Sequence, residues 1–115
     1  MRRKLSEIII EIAMLGLADE KYAHSEVMHP LMFLAHVAWN RDTKSPDYLP
    51  NNQYREHLKQ FTIPKGNIRK ELISENWDDI LAKMMDYKKR YFPKDKRIIT
   101  LCGYTPWDTL RVEWE

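Results

Sequence analysis

A run of apolar residues from Pro30 to Trp39 dominates the hydrophobic pattern of the chain, and His36 is its one polar member. A helix of this composition has no polar face to turn toward water, so it has to lie inside a core. The run is also much shorter than the roughly 20 residues that a membrane-spanning helix needs. The pattern therefore predicts a central buried helix over about residues 30–40, and it predicts no association with a membrane.

The N-terminal apolar residues recur at helical spacing and form two stripes. The broader stripe contains Leu5, Ile8, Ile9, Ile12, Leu15 and Gly16, and the narrower one, roughly opposite, contains Ile10, Met14 and Leu17. The basic start at 2–4 resembles a signal peptide, but Glu7 and Glu11 interrupt the apolar run that such a peptide needs. We therefore expect an amphipathic helix over about residues 5–18 that is covered on two sides.

The remaining helices are predicted from capping residues and prolines. A polar, proline-containing surface loop over about 42–52 leads into a helix over about 53–61. Asn67 is expected to cap a further segment, and Asn76 to begin a long helix that ends before Pro93. Together with the two apolar segments, these elements make four or five helices.

The C-terminal segment fits two structures. Residues 97–102 are rich in β-branched side chains, and Leu110, Val112 and Trp114 alternate with charged residues, a pattern typical of a β-hairpin. Residues 105–108 instead resemble the start of a short helix, with proline at its first position. The hairpin is favoured because a lone strand would leave its backbone groups unpaired, and the short helix stays as the alternative.

Length, charge and cysteine content narrow the class of protein. The 115 residues suffice for one domain with a sizeable core. We expect a mainly α, single helical domain over 1–115, a small bundle of four or five helices around the central helix, with a C-terminal β-hairpin or short helix. The net charge of +2 is too small to imply a polyanionic partner by itself. Cys102 is the one cysteine, so no internal disulfide forms, and we predict a reducing, cytoplasmic location.

Candidate catalytic residues are few. His36 and Asn40 are four residues apart on the buried helix, so they share a face, and a buried histidine can serve as an acid or base. Neither a nucleophile nor a carboxylate accompanies them at a fixed spacing, so a hydrogen-bonded core histidine is the favoured interpretation. The apolar neighbours of Cys102 predict an inert thiol. The histidines lack metal-binding spacing, and we favour a protein without metal, cofactor or enzymatic activity.

Aromatic residues of the kind that anchor protein interfaces are plentiful. They occur in the C-terminal segment and around the polar loop, and the candidates for partner contact are Trp107, Trp114, Tyr104, Tyr48 and Tyr54. Ordinary core packing is the competing interpretation for these side chains. In the absence of a catalytic constellation we predict a protein-binding module, an adaptor or a protein of the immunity or antitoxin kind. Its expected partner is another protein or a second copy of the chain.

A basic cluster interleaved with aromatic residues points to an alternative function. Its cations, together with the basic N-terminus, are Arg2, Arg3, Lys4, Lys88, Lys89, Arg90, Lys94, Lys96 and Arg97. Cations contact phosphates and rings stack on bases in proteins that bind nucleic acids. Cations at the end of a helix also stabilise its dipole, which is the favoured interpretation of this cluster. A nucleic-acid-binding module is therefore the alternative prediction.

Overall fold

The computed structural model of the protein describes residues 3–22, 28–62, 76–104 and 110–115. The described residues form four α-helices and a two-stranded antiparallel hairpin: α1 (Leu5–Ala13), α2 (Met28–Thr43), α3 (Asn51–Thr62), α4 (Trp77–Tyr91), β1 (Ile99–Tyr104) and β2 (Leu110–Trp114). This confirms the predicted mainly helical fold and, at its C-terminus, the hairpin rather than the short helix. Within the described ranges, no helix combines the length and the hydrophobicity that crossing a lipid bilayer requires.

Helix α2 contains the apolar run and is the most buried element. Seven of its apolar side chains are at most 2% exposed: Leu31, Met32, Leu34, Ala35, Val37, Ala38 and Trp39. The helix packs against α1, α3, α4 and β1, which explains why it needs no polar face. It is longer than predicted, since it continues past Asn40 to Thr43. The Asn40 side chain does not end the helix because it is hydrogen-bonded to β1 instead.

Helix α1 buries the broader of its two predicted stripes and is shorter than expected. Its regular part ends at Ala13, where the chain tightens into a 3₁₀ turn over Met14–Gly16. A Cβ on Gly16 would lie 2.4 Å from Leu31 Cδ2, so this turn approaches α2 more closely than a larger residue allows. The narrower stripe is only partly buried, because Leu17 is 8% exposed whereas Ile10 is 37% exposed.

The loop before α3 is held in place by Arg41. Its guanidinium Nε donates a hydrogen bond to the carbonyl oxygen of Tyr48 at 2.9 Å. The helix then begins at Asn51, earlier than the predicted residue 53, because the carbonyl oxygen of Pro50 already accepts from the backbone N–H of Tyr54 at 3.1 Å. A backbone carbonyl thus starts the first turn.

Helix α4 has the predicted ends. Asn76 is its N-cap, and the Asn76 Oδ1 accepts from the backbone N–H of Asp79 at 2.9 Å. The last backbone bond of the helix runs from the N–H of Phe92 to the carbonyl oxygen of Lys88, and Pro93 follows. The segment that Asn67 was expected to cap lies outside the described residues.

The hairpin is antiparallel and irregular at its base. Ile99 is opposite Trp114, Leu101 is opposite Glu113, and the residue between them on β1 forms a bulge. Beyond the strands, Ile98 and Glu115 exchange two backbone hydrogen bonds of 3.1 and 2.8 Å. Strand β1 lies on α2, so the hairpin covers one side of the buried helix.

Candidate functional site

Two adjacent side chains of α2 hold the base of the hairpin. Asn40, 1% exposed, donates from Nδ2 to the carbonyl oxygen of Ile99 and accepts at Oδ1 from its N–H, both at 2.8 Å. The Trp39 Nε1–H donates to the carbonyl oxygen of Arg97 at 2.6 Å. Because the Asn40 amide is occupied on both sides by main chain, its role in this structure is to attach β1 to α2.

Two cations from the basic cluster are buried beside this contact. Lys88, 0% exposed, places its Nζ 2.9 Å from the Asp42 carboxylate and donates to the carbonyl oxygen of Asp95 at 2.9 Å. Its ammonium also lies 4.8 Å from the ring centroid of Trp39. Arg97, 5% exposed, makes paired bonds of 2.9 and 2.5 Å with the Asp95 carboxylate. Such pairing is what makes a buried charge tolerable in a protein interior.

The candidates for nucleic-acid contact therefore divide into buried and exposed groups. Lys88 and Arg97 are buried in internal ion pairs, so neither is accessible to a phosphate. Arg3 is exposed and pairs with Glu11 at 3.2 Å, and Arg2 lies outside the described residues. The other members are exposed: Lys4, Lys89, Arg90, Lys94 and Lys96.

His36 lies in an aromatic cluster. Its Nε2 is 2.6 Å from the hydroxyl oxygen of Tyr48, and its ring packs edge-on against Phe33 with centroids 5.9 Å apart. Burial, and to a smaller extent the nearby His57, lower the pKa of His36 to about 4. The imidazole is therefore neutral at pH 7 and has the environment of a hydrogen-bonded structural histidine.

The thiol and the remaining histidines offer little chemistry. The Sγ of Cys102 lies 3.9 Å from the carbonyl oxygen of Met32, and burial raises the pKa of this thiol to about 12. The thiolate is the nucleophilic form, so Cys102 stays unreactive at neutral pH. Across the part of the chain that the structure describes, which omits His24, no three His, Cys, Asp or Glu side chains are grouped to hold a metal ion.

The aromatic candidates for partner contact differ in exposure. Tyr54 is fully buried and its hydroxyl donates to a carboxylate of α4. It is therefore a core residue and not the partner contact that the sequence predicted. Tyr48 is half-buried and packs against the His36 ring. Trp107 and the side chain of Tyr104 lie outside the described part of the chain. Trp114 is 48% exposed and remains accessible.

Trp114 lines a cleft between the hairpin and the N-terminal end of α1, which we call the Trp114 cleft. The cleft has a volume of about 400 Å³ and is lined by Arg3, Lys4, Leu5, Ser6, Arg97, Val112 and Trp114. The Trp114 ring lies over the guanidinium of Arg97, with 5.2 Å between Cζ and the ring centroid. Paired bonds to Asp95 hold that guanidinium, so the Trp114 ring packs on an ion-paired cation. Cationic and apolar side chains thus line the same cleft.

A second cleft, the Tyr91 cleft, lies beside the C-terminal half of α4. Its volume is about 600 Å³ and its lining is Leu15, Lys83, Asp86, Tyr87, Lys89, Arg90 and Tyr91. The Tyr91 ring is 56% exposed and packs 4.5 Å, centroid to centroid, from the ring of Tyr87. The Tyr87 hydroxyl donates to Glu11 at 2.7 Å, and this hydrogen bond is the main reason that the pKa of Tyr87 is raised to about 12.

The chain matches no protein-family model, and comparisons with curated proteins and with solved structures find no match.

The sequence pattern placed Val112 and Trp114 on one face of a strand, and this was the available signal for the Trp114 cleft. It missed the partnership between Arg97 and Trp114, because only the pairing of β1 with β2 brings these residues together.

Proposed function

We propose that the protein is a non-enzymatic protein-binding domain that holds its partner at the Trp114 cleft. The observation that carries this proposal is the half-exposed Trp114 ring, supported from below by a buried and ion-paired Arg97. Tryptophan is among the residue types that contribute most binding energy at interfaces. A ring that is fixed before binding also loses little conformational freedom when a partner covers it.

The lining of the cleft supports a partner of definite chemistry. Arg3 and Lys4 are exposed at the rim, beside the positive end of the α1 dipole, and Val112 and Trp114 supply apolar area. A protein segment with a large apolar side chain flanked by carboxylates complements both features. A second copy of the chain is less suitable, because a symmetric dimer through this cleft would bring the same cations together.

The placement of the reactive groups supports binding over catalysis. The His36 ring and the Asn40 amide take part in internal hydrogen bonds, and the Cys102 thiol is protonated at neutral pH. We therefore class the protein with adaptors and with immunity or antitoxin-like proteins. Its single cysteine supports a cytoplasmic location. We propose further that residues 1–115 form one domain, a helical bundle around α2.

Site-specific cross-linking in cells that express the protein tests the proposal. A photoreactive phenylalanine analogue replaces Trp114 in one variant and the similarly exposed Tyr91 in the control. We expect position 114, and not position 91, to capture a discrete protein. With that protein purified, Trp114→Ala should weaken binding about 30-fold, the effect of an interface hot spot, and Tyr91→Ala less than about threefold. Equal capture at both positions, or unchanged binding by Trp114→Ala, contradicts the proposal.

Nucleic-acid binding is the second candidate, and the Tyr91 cleft is the observation that favours it. Lys89 and Arg90 are exposed beside the Tyr91 ring, and single strands bind to such combinations of cation and ring. The test uses a fluorescent oligothymidylate of about 12 nucleotides at several salt concentrations. Lys89→Gln/Arg90→Gln should lower the logarithmic salt slope by about 1.4, whereas Lys44→Gln on the α2–α3 loop should leave it unchanged. Failure to bind at the lowest salt concentration would exclude this candidate.

A further inference from the structure

The hydrogen-bond pattern of the hairpin shows which backbone groups of β2 point away from β1. Along a strand, the N–H and C=O groups of successive residues point to opposite sides. Ile98 and Glu115 bond to each other through both their N–H and their C=O groups, so the backbone groups of Glu115 point toward β1. The bulge is on β1 and leaves the alternation on β2 intact, so the backbone groups of Trp114 and Val112 point outward.

The two outer edges of the hairpin differ in whether their outward backbone groups are hydrogen-bonded. On the β1 edge, the outward N–H and C=O of Ile99 are both bonded to the Asn40 side chain at 2.8 Å. On the β2 edge, within the ranges that the structure describes, the outward backbone groups of Val112 and Trp114 form no hydrogen bond. An unpaired strand edge is a template for pairing with another chain.

The unpaired edge belongs to the residues that line the Trp114 cleft. The side chains of Val112 and Trp114 form one wall of the cleft, and Arg3 and Lys4 form part of the other. The charged side chains of Arg111 and Glu113 alternate with these residues, so they point to the opposite face of β2, where they pair with each other. A strand added at this edge would therefore lie beside cations and an exposed aromatic ring.

We propose that the partner adds an extended, acidic segment as a third strand along the outer edge of β2. Backbone hydrogen bonds to Val112 and Trp114 supply affinity, as in other cases of strand addition. One apolar side chain of the segment covers the Trp114 ring, and its carboxylates face Arg3 and Lys4. This inference rests on the proposed function, since it specifies how the same cleft is occupied.

The single cysteine allows a direct test of the backbone contact. A synthetic 102–115 peptide, which begins with Cys102, is ligated to a thioester of 1–101, so N-methylvaline can replace Val112. The methyl group removes the outward donor and blocks the edge without touching the bonds to β1. The probe is a phage-displayed library of random peptides about 12 residues long, selected on the intact chain. The selected peptides should combine acidic residues with alternating apolar ones.

We expect the N-methylated chain to bind a selected peptide about tenfold more weakly than a chain ligated with unmodified 102–115. In the unmodified chain, peptide addition should protect the Val112 and Trp114 amides from hydrogen exchange. An unchanged thermal transition of the methylated chain shows that it is folded. If it does not fold, the exchange measurement decides alone: protection supports strand addition, and its absence overturns it.

The two proposals fail in different ways. If Trp114→Ala weakens peptide binding but N-methylation does not, strand addition is overturned and docking at the cleft stands. If neither change weakens binding, the peptides bind elsewhere and both proposals fall. A library that yields no binder, or a peptide bound as a helix, also overturns strand addition. So does a homodimer that N-methylation dissociates, since a second copy would then occupy the edge.

Discussion

Asn40→Ala removes two hydrogen bonds at the buried contact between α2 and the hairpin. The Asn40 side chain is 1% exposed, and both its amide nitrogen and its amide oxygen bond to the main chain of Ile99. After the substitution, the Ile99 N–H and C=O stay buried without these partners, and each such group costs about 1–3 kcal/mol. We therefore expect the free energy of unfolding to fall by about 3 kcal/mol, out of a total of roughly 5–15 kcal/mol for a typical domain.

Asn40→Asp has nearly the same shape, and its effect should depend on pH. A protonated carboxyl can donate to the Ile99 carbonyl and accept from its N–H, as the amide does. An ionised carboxylate is buried and faces that carbonyl oxygen without a proton between them. The hydrogen bond donated by the protonated carboxyl and the cost of burying the carboxylate both raise the folded-state pKa of Asp at position 40 above the ordinary value of about 3.9. The stability from this group is thus present below that value and is lost as the pH rises through the folded-state pKa.

Urea unfolding followed by tryptophan fluorescence measures both variants. With a slope of about 1.5 kcal/mol per molar urea, a loss of 3 kcal/mol lowers the midpoint by about 2 M. The exposed Asn52→Ala on α3 is the control and should leave the midpoint nearly unchanged. The deficit of Asn40→Asp against wild type should be larger near pH 7 than near pH 4. A loss below about 1 kcal/mol in Asn40→Ala, or an equal Asn40→Asp deficit at both pH values, would contradict a stabilising role for the two Asn40 hydrogen bonds.

Three further predictions concern buried positions. The pKa of His36 is lowered to about 4, so the unfolded chain binds this proton more readily, and stability should fall by about 3 kcal/mol between roughly pH 6.5 and 4. His36→Phe should reduce this pH dependence in urea titrations, and equal dependence in both proteins would contradict the prediction. Gly16→Ala places a Cβ 2.4 Å from Leu31 Cδ2 and should cost about 1–3 kcal/mol through overpacking. An unchanged melting temperature would instead show that Leu31 moves aside without cost. Thr43→Val removes a buried hydroxyl that has no hydrogen-bond partner among the described residues, so the melting temperature should stay the same or rise. A clear fall would show that the hydroxyl is bonded after all.

Features that depend on neighbouring residues were predictable from the sequence. A helix without a polar face has to be buried whatever surrounds it, and residues 31–39 of α2 are largely inaccessible. The ends of α4 at Asn76 and Pro93 follow from capping and from the missing proline N–H. The alternation over Leu110–Trp114 predicted β2 because side chains of a strand point to alternate faces.

Features that depend on distant residues were not predictable in the same way. Lys88 has the position of an exposed helix-end cation, and only the folded chain brings Asp42 and the Asp95 carbonyl to its ammonium. Asn40 likewise looks like a residue that ends a helix, and no spacing rule connects it to Ile99. A polar side chain can be buried where the fold brings it hydrogen-bond or charge partners, and local sequence patterns do not show where this happens.

Two of the buried polar contacts connect the stability of the core to the proposed binding surface. Asn40 fixes Ile99, which is opposite Trp114 in the hairpin, and Asp95 fixes the Arg97 guanidinium beneath the Trp114 ring. Loosening Ile99 should therefore free the ring while most of the core stays folded. Asn40→Ala would then weaken binding through lost preorganisation, although Asn40 is buried and lines neither cleft. We thus expect the buried Asn40 of α2 to act on a surface that it does not form.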